Sequence, residues 1–130
     1  MREILFRGKR VDNGEWVYGH YHSYDISCAG KTKICCTYHV IRADNVYPET
    51  VGQYTGLTDK KGEKIFEGDI VKGLFYHGQQ VLGVVAFKNG AFGLEWKRKK
   101  SKEFYSFAQL CNIEYEVIGN IYDNPELLEK

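Results

Sequence analysis

Residues 70–96 read IVKGLFYHGQQVLGVVAFKNGAFGLEW. β-Branched, aromatic and small residues fill three runs, 70–76, 81–88 and 91–96. The runs are separated by His77-Gly78-Gln79-Gln80 and by Asn89-Gly90. Asn-Gly supplies the positive φ angles that a two-residue hairpin turn requires. Three short strands joined by tight turns predict a meander, and a short meander of this kind curls readily into a small barrel.

The same punctuation continues on both sides. Asp12-Asn13-Gly14 separates 6–11 from 16–21 and predicts a tight N-terminal hairpin, with Trp16, Tyr18 and His20 on one face. Residues 25–33 are small and polar and read as a loop. Residues 34–41 are β-branched and aromatic and read as a strand. Residues 42–49 read as a connection, with Pro48 stopping any helix. Asp59 and Asp69 stand in glycine-marked turns, where an aspartate carboxylate commonly bonds nearby backbone N–H groups. Phe104, Phe107, Ala108 and Cys111 fall at helical spacing, which allows a short helix or a strand. Residues 115–122 alternate as a final strand. Asn124-Pro125-Glu126 then predicts one helical turn.

Composition agrees with a β-rich domain and says little about function. The 130 residues hold 10 Tyr, 7 Phe and 14 Gly against 2 Pro, with 18 Lys+Arg balancing 17 Asp+Glu. Overall charge therefore demands no polyanionic or polycationic partner. No run approaches the roughly 18 apolar residues of a membrane span. The first ten residues lack the apolar centre of a secretory signal, so a cytoplasmic protein with reduced thiols is expected. Its cysteines are Cys28, Cys35, Cys36 and Cys111, with no Cys-x-x-Cys knuckle. The sharpest metal set is Cys28, Cys36 and His39 with His20 or His22. Thiols buried as small hydrophobes are the simpler reading, and no metal or cofactor is expected.

Three segments carry a resemblance. They are FRGKRVDNGEWVYG at 6–19, ETVGQYTGLTDKKGEKIFEGDIV at 49–71 and YEVIGNIYDNPELLE at 115–129. In this order they resemble the YopX family of phage and prophage proteins, and the middle segment is the most specific. The resemblance implies a temperate-phage origin and a fold similar to an SH3-type barrel. It implies no biochemical activity and no catalytic residues. Residues 25–33 and the basic run at 97–102 match none of its motifs.

Three chemistries can be weighed on the residues themselves. Between 71 and 110, seven cations face two anions; between 111 and 130, five acids face one lysine. The cations cluster as Lys97, Arg98, Lys99, Lys100 and Lys102 beside Trp96. Cations for phosphates with rings for base stacking is how small barrels hold single strands. A solvated hairpin tip is the plainer reading. Glu95-Trp96-Lys97 with Asp69 has the acid-x-Lys form of metal-dependent nucleases. About two such triplets are expected by chance from this composition, and Asp59-Lys60-Lys61 is the second. No Gly-x-Ser-x-Gly elbow or phosphate-binding loop is present. A protein-binding role rests on the tyrosines, with Tyr18, Tyr38, Tyr47, Tyr54 and Tyr76 as candidates.

The expected fold is mainly β. Residues 1–57 form an N-terminal β-hairpin lobe. Residues 58–130 form a small SH3-type barrel ending in a short helical turn. The expected function is non-catalytic: an accessory module, phage- or prophage-encoded, binding a phage or host macromolecule in the bacterial cytoplasm. Nucleic-acid binding through 97–102 is the alternative and a metal-dependent enzyme a distant third. The partner is an unidentified phage or host protein, nucleic acid is a second option, and a homo-oligomer is allowed by short sheets with open edges.

Overall fold

The computed structural model describes residues 3–27, 34–75, 78–98, 101–110 and 113–128, with backbone alone at 34–36, 75, 97 and 98. The chain is mainly β, in three antiparallel sheets, and divides into two compact units, Met1–Gln53 and Tyr54–Lys130. Among the described residues no helix is long and apolar enough to cross a membrane.

In the first unit, β1 (Phe6–Lys9) pairs with β2 (Trp16–Gly19), Lys9 opposite Trp16. The turn between them spans six residues, 10–15, and is wider than the tight turn expected at 12–14. Gly14 takes a φ of 72°, Asn13 does not join it at positive φ, and the Asn13 side chain instead accepts the Glu15 N–H at 2.9 Å. β3 (Tyr21–Ser27) pairs with β4 (Ile34–Ile41), and β4 turns back into the two-residue β5 (Asp44–Asn45). The predicted loop at 25–33 thus begins later than expected, because Asp25, Ile26 and Ser27 extend β3. Residues 28–33 lie outside the described residues. The β4–β5 turn places Arg42 and Ala43 at φ 54° and 67°. Neither is a residue that favours this left-handed region, so no sequence signal marks the turn. Pro48 opens the 3-10 turn Pro48–Thr50 instead of stopping a helix, as its fixed φ suits a first helical position. Ile41, Val46 and Val40 form the buried centre, with Gly8 closely packed against Ile41 and Val46. Arg7 is also buried, its guanidinium 4.6 Å from the Trp16 ring centre.

β6 (Gly52–Thr58) starts in the first unit, where Gly52 and Gln53 pair with β1. It continues in the second unit, where Tyr54 and Thr58 pair with β7 (Lys64–Phe66). There β8 (Asp69–Phe75), β9 (Gln80–Lys88) and β10 (Ala91–Arg98) form the predicted meander, and β11 (Ser101–Ser106) adds a further strand to it. Asn89 and Gly90, at φ 53° and 79°, make the two-residue turn the sequence demanded. β12 (Ile113–Asn120) returns beside β8, giving the order β11-β10-β9-β8-β12.

This sheet is open: β11 and β12 are its two edges and do not pair with each other, so the ladders close no barrel. One face is covered instead by the β6–β7 hairpin, whose Ile65 joins Val71, Val85, Leu94 and Leu110 in one core cluster. The helical spacing at 104–111 also yields to the sheet. Phe104 and Tyr105 pair with Glu95 and Leu94, and the chain leaves the strand only after Ser106. The C-terminal signal is realised as the 3-10 turn Pro125–Leu128.

Candidate functional site

The turn at 59–63 is a structural clasp. Asp59 is buried, and its Oδ1 accepts the N–H groups of Lys61 at 2.8 Å and Glu63 at 2.9 Å. Its Oδ2 accepts the N–H of Val117 at 3.0 Å, and the Lys60 N–H donates to the Tyr115 carbonyl. One carboxylate thus folds the 59–63 turn and lays it along the outer edge of β12. Burial by itself would raise the Asp59 carboxyl; the Val117, Glu63 and Lys61 N–H groups and the Lys61 charge outweigh it and hold the group below its ordinary value of 3.8. Glu116 adds exposed ion pairs to Lys61 at 2.9 Å and Lys60 at 3.5 Å. Hydrogen bonding and charge within the Lys61–Glu116 pair raise Lys61 and lower Glu116. A shallow pocket of about 80 Å³ beside them holds little more than a few waters.

The acid-x-Lys reading finds its residues apart. Asp69 is buried and its Oδ2 accepts the Phe66 N–H at 2.8 Å, closing the β7–β8 turn. Ile70, Val84 and Glu95 are register partners across β8, β9 and β10, so they share one face. Asp69, next to Ile70, faces the other way. Glu95 pairs with Lys88. The histidine set is divided in the same manner. His22 stands opposite Val40 and His39 opposite Ser23, on opposite faces of the β3–β4 ribbon. His39 Nδ1 is hydrogen-bonded to the Tyr21 hydroxyl at 2.7 Å, His20 is exposed, and Cys28 lies outside the described residues. Among the described residues no cluster of three or more His, Cys, Asp or Glu could hold a metal.

The basic run occupies the end of the β10–β11 hairpin. Lys97 stands opposite Lys102 and Arg98 opposite Ser101, while Lys99 and Lys100 lie outside the described residues. Trp96 pairs with Glu103, on the face away from the exposed Lys102. Its ring stacks on Tyr105, centres 5.1 Å apart, and packs against the core cluster.

The β3–β4 ribbon is the surface most in need of explanation. His22, Tyr24 and Ile26 alternate along one face of β3, and Tyr24 stands opposite Tyr38. The Tyr24 and Tyr38 rings stack 5.3 Å apart, and His22 lies 6.2 Å from Tyr24. Tyr24 is 46% exposed, Ile26 43% and Tyr38 36%. Asp25, on the other face, is the one charged side chain of β3 and accepts the Thr37 hydroxyl at 2.7 Å. Of the tyrosines singled out in the sequence, Tyr38 lies here. Tyr18 and Tyr47 are exposed elsewhere in the first unit, Tyr54 is buried, and Tyr76 lies outside the described residues. Tyr24 was missed, although the alternation His22, Tyr24, Ile26 was its signal.

No curated protein matches this chain. Among solved structures, the crystal structure of protein EF1440 from Enterococcus faecalis is similar at 25% identity and a TM-score of 0.55. That likeness covers 99% of this chain and 100% of that one. A family model described as YopX protein matches residues 5–129. This span takes in the Asp59 clasp, the β3–β4 ribbon and the terminal turn alike, and the chain belongs to the YopX family.

Proposed function

We propose that this protein is a non-catalytic binding module, phage- or prophage-encoded, that docks a phage or host protein in the bacterial cytoplasm through the β3–β4 ribbon. In this reading the second unit is an open variant of the SH3-type barrel that serves as scaffold. One observation carries the proposal: a stacked, solvent-exposed tyrosine pair flanked by His22 and Ile26 on a nearly uncharged ribbon. Rings enriched and charges depleted is the composition of interface centres. At Tyr24 and Tyr38 the sheet is only two strands wide, since β5 pairs no further than Val40, and so narrow a stretch gains from being covered. The non-catalytic part is supported by Asp69 and Glu95 facing apart.

Both rings are exposed and outside the buried core, so replacing Tyr24 and Tyr38 together with Ser costs the ladder one cross-strand pair, and circular dichroism checks that the variant is folded. The double variant, used as bait in extracts of infected cells, should lose proteins that the wild-type chain captures, by at least about tenfold for a central aromatic pair. An unchanged capture profile would refute the ribbon as the docking surface.

Nucleic-acid binding is the second reading. It is favoured by the exposed Lys102 on the β10–β11 hairpin, whose connecting sequence carries four further cations at 97–100. Micromolar affinity for short single-stranded DNA, falling steeply with salt and lost on replacing Lys97 and Lys102 with Ala, would establish it. Salt-independent or absent binding would dismiss it.

A further inference from the structure

We propose that the outer edge of β3 pairs with β3 of a second copy of this chain, antiparallel and about a two-fold axis at Tyr24. The argument starts from how the other sheet edges are protected. β2 has four residues, β5 two and β7 three, too short to template a partner strand. β11 carries Lys102 and Glu103. β12 carries Glu114 and Glu116 and is overlaid by the 59–63 turn. β3 has only the single charge of Asp25 by way of protection. It is seven residues long, without Pro or Lys, and the irregularity in its ladder falls on the β4 side, where the register skips Cys35. Among the described residues no strand pairs with its outer edge.

The sequence of β3, YHSYDIS, is self-complementary about its centre. Antiparallel pairing there sets Tyr24 against the partner's Tyr24 and His22 against the partner's Ile26. The four tyrosines Tyr38, Tyr24 and their two-fold mates then form one row across four strands. On the other face Asp25 meets the partner's Ser23, so each carboxylate faces a hydroxyl donor and no acid stands directly opposite an acid. This hydrogen-bond match is what favours a second copy over an extended peptide that sets an acid opposite Asp25.

The experiment is sedimentation of the full chain and of two variants at Ser23, an exposed position. The wild type should show a concentration-dependent monomer–dimer equilibrium. Ser23→Asp, which places a carboxylate opposite Asp25, should weaken the dimer at least about tenfold, as like charges juxtaposed across an interface do. Ser23→Lys, which places an ammonium there, should keep or tighten it. A wild type that stays monomeric up to about 1 mM, where even an association of about 4 kcal/mol would register, overturns the proposal and leaves the edge to a strand of another protein. A dimer that responds alike to both variants overturns it too, because the contact then lies elsewhere. The Ser23 variants probe the edge and the tyrosine variants the aromatic face, so the pairing and the docking reading fail separately.

Discussion

Asp59→Ala should destabilise the second unit by about 3–5 kcal/mol, since three backbone N–H groups lose a charged acceptor and each such bond contributes about 1.5–3 kcal/mol before relaxation. The loss spreads beyond the turn. With the carboxylate gone, the 59–63 segment no longer holds to Val117 and keeps only the Lys60–Tyr115 bond and the exposed Glu116 ion pairs along β12. Asp59→Asn keeps an acceptor oxygen and should cost roughly half as much. Urea unfolding followed by circular dichroism measures both, and an alanine variant within about 0.5 kcal/mol of wild type would contradict the clasp. The pH dependence has a definite sign. Asp59 is depressed in the folded chain, so its contribution is fully present above the ordinary carboxyl value of 3.8. It is lost as pH falls below that value through the lower folded one. The wild type should therefore lose stability more steeply below about pH 4 than Asp59→Asn.

Gly93→Ala should be nearly as damaging, for a steric reason. Gly93 lies in the middle of β10, opposite Ala86 on one side and Ser106 on the other. A methyl group there would fall inside the Tyr105 carbonyl oxygen, 2.6 Å from the Ser106 Cα and 2.8 Å from the Phe104 ring. Two of these neighbours are backbone and cannot rotate away, so β11 must shift and its ladder weaken. Forcing atoms into a packed site costs about 1–3 kcal/mol, and a backbone clash belongs at the upper end. A fall in melting temperature of roughly 10 °C is expected. Gly90→Ala is the control: nothing lies within 4 Å of its added carbon, and its cost is the φ of 79° alone. Equal melting temperatures for the Gly93 and Gly90 variants would remove the steric argument.

The sequence was most legible where one residue type answers to one backbone need. Asn89-Gly90 announced its turn because few other pairs occupy that conformation cheaply. Arg42-Ala43 occupies a comparable turn without announcing it, since the surrounding hairpin imposes the conformation. The strand at 101–106 was obscured because Phe104, Phe107 and Cys111 also fit a helix, and only pairing with β10 decides between them. An open sheet rather than a closed barrel depends on Ile65 covering the core from a separate hairpin, a contact no local pattern encodes. The site followed the same logic. The polar residues at 23, 25 and 27 hid a strand exposed on both faces, and with it Tyr24. Asp59 and Asp69 were rightly read as turn residues because their short carboxylates reach nearby N–H groups. The bond from Asp59 to Val117, 58 residues away, was not legible.

That distance bears on the order of folding. β8 to β11 join neighbours in sequence, so their contacts close short loops quickly. β12 and the clasp must first close long loops, and chain entropy is lost before any contact is gained. The meander should therefore form ahead of them, with the Asp59–Val117 bond still unmade at the folding barrier. Losing that bond then leaves the refolding rate almost unchanged and shortens the lifetime of the folded chain instead.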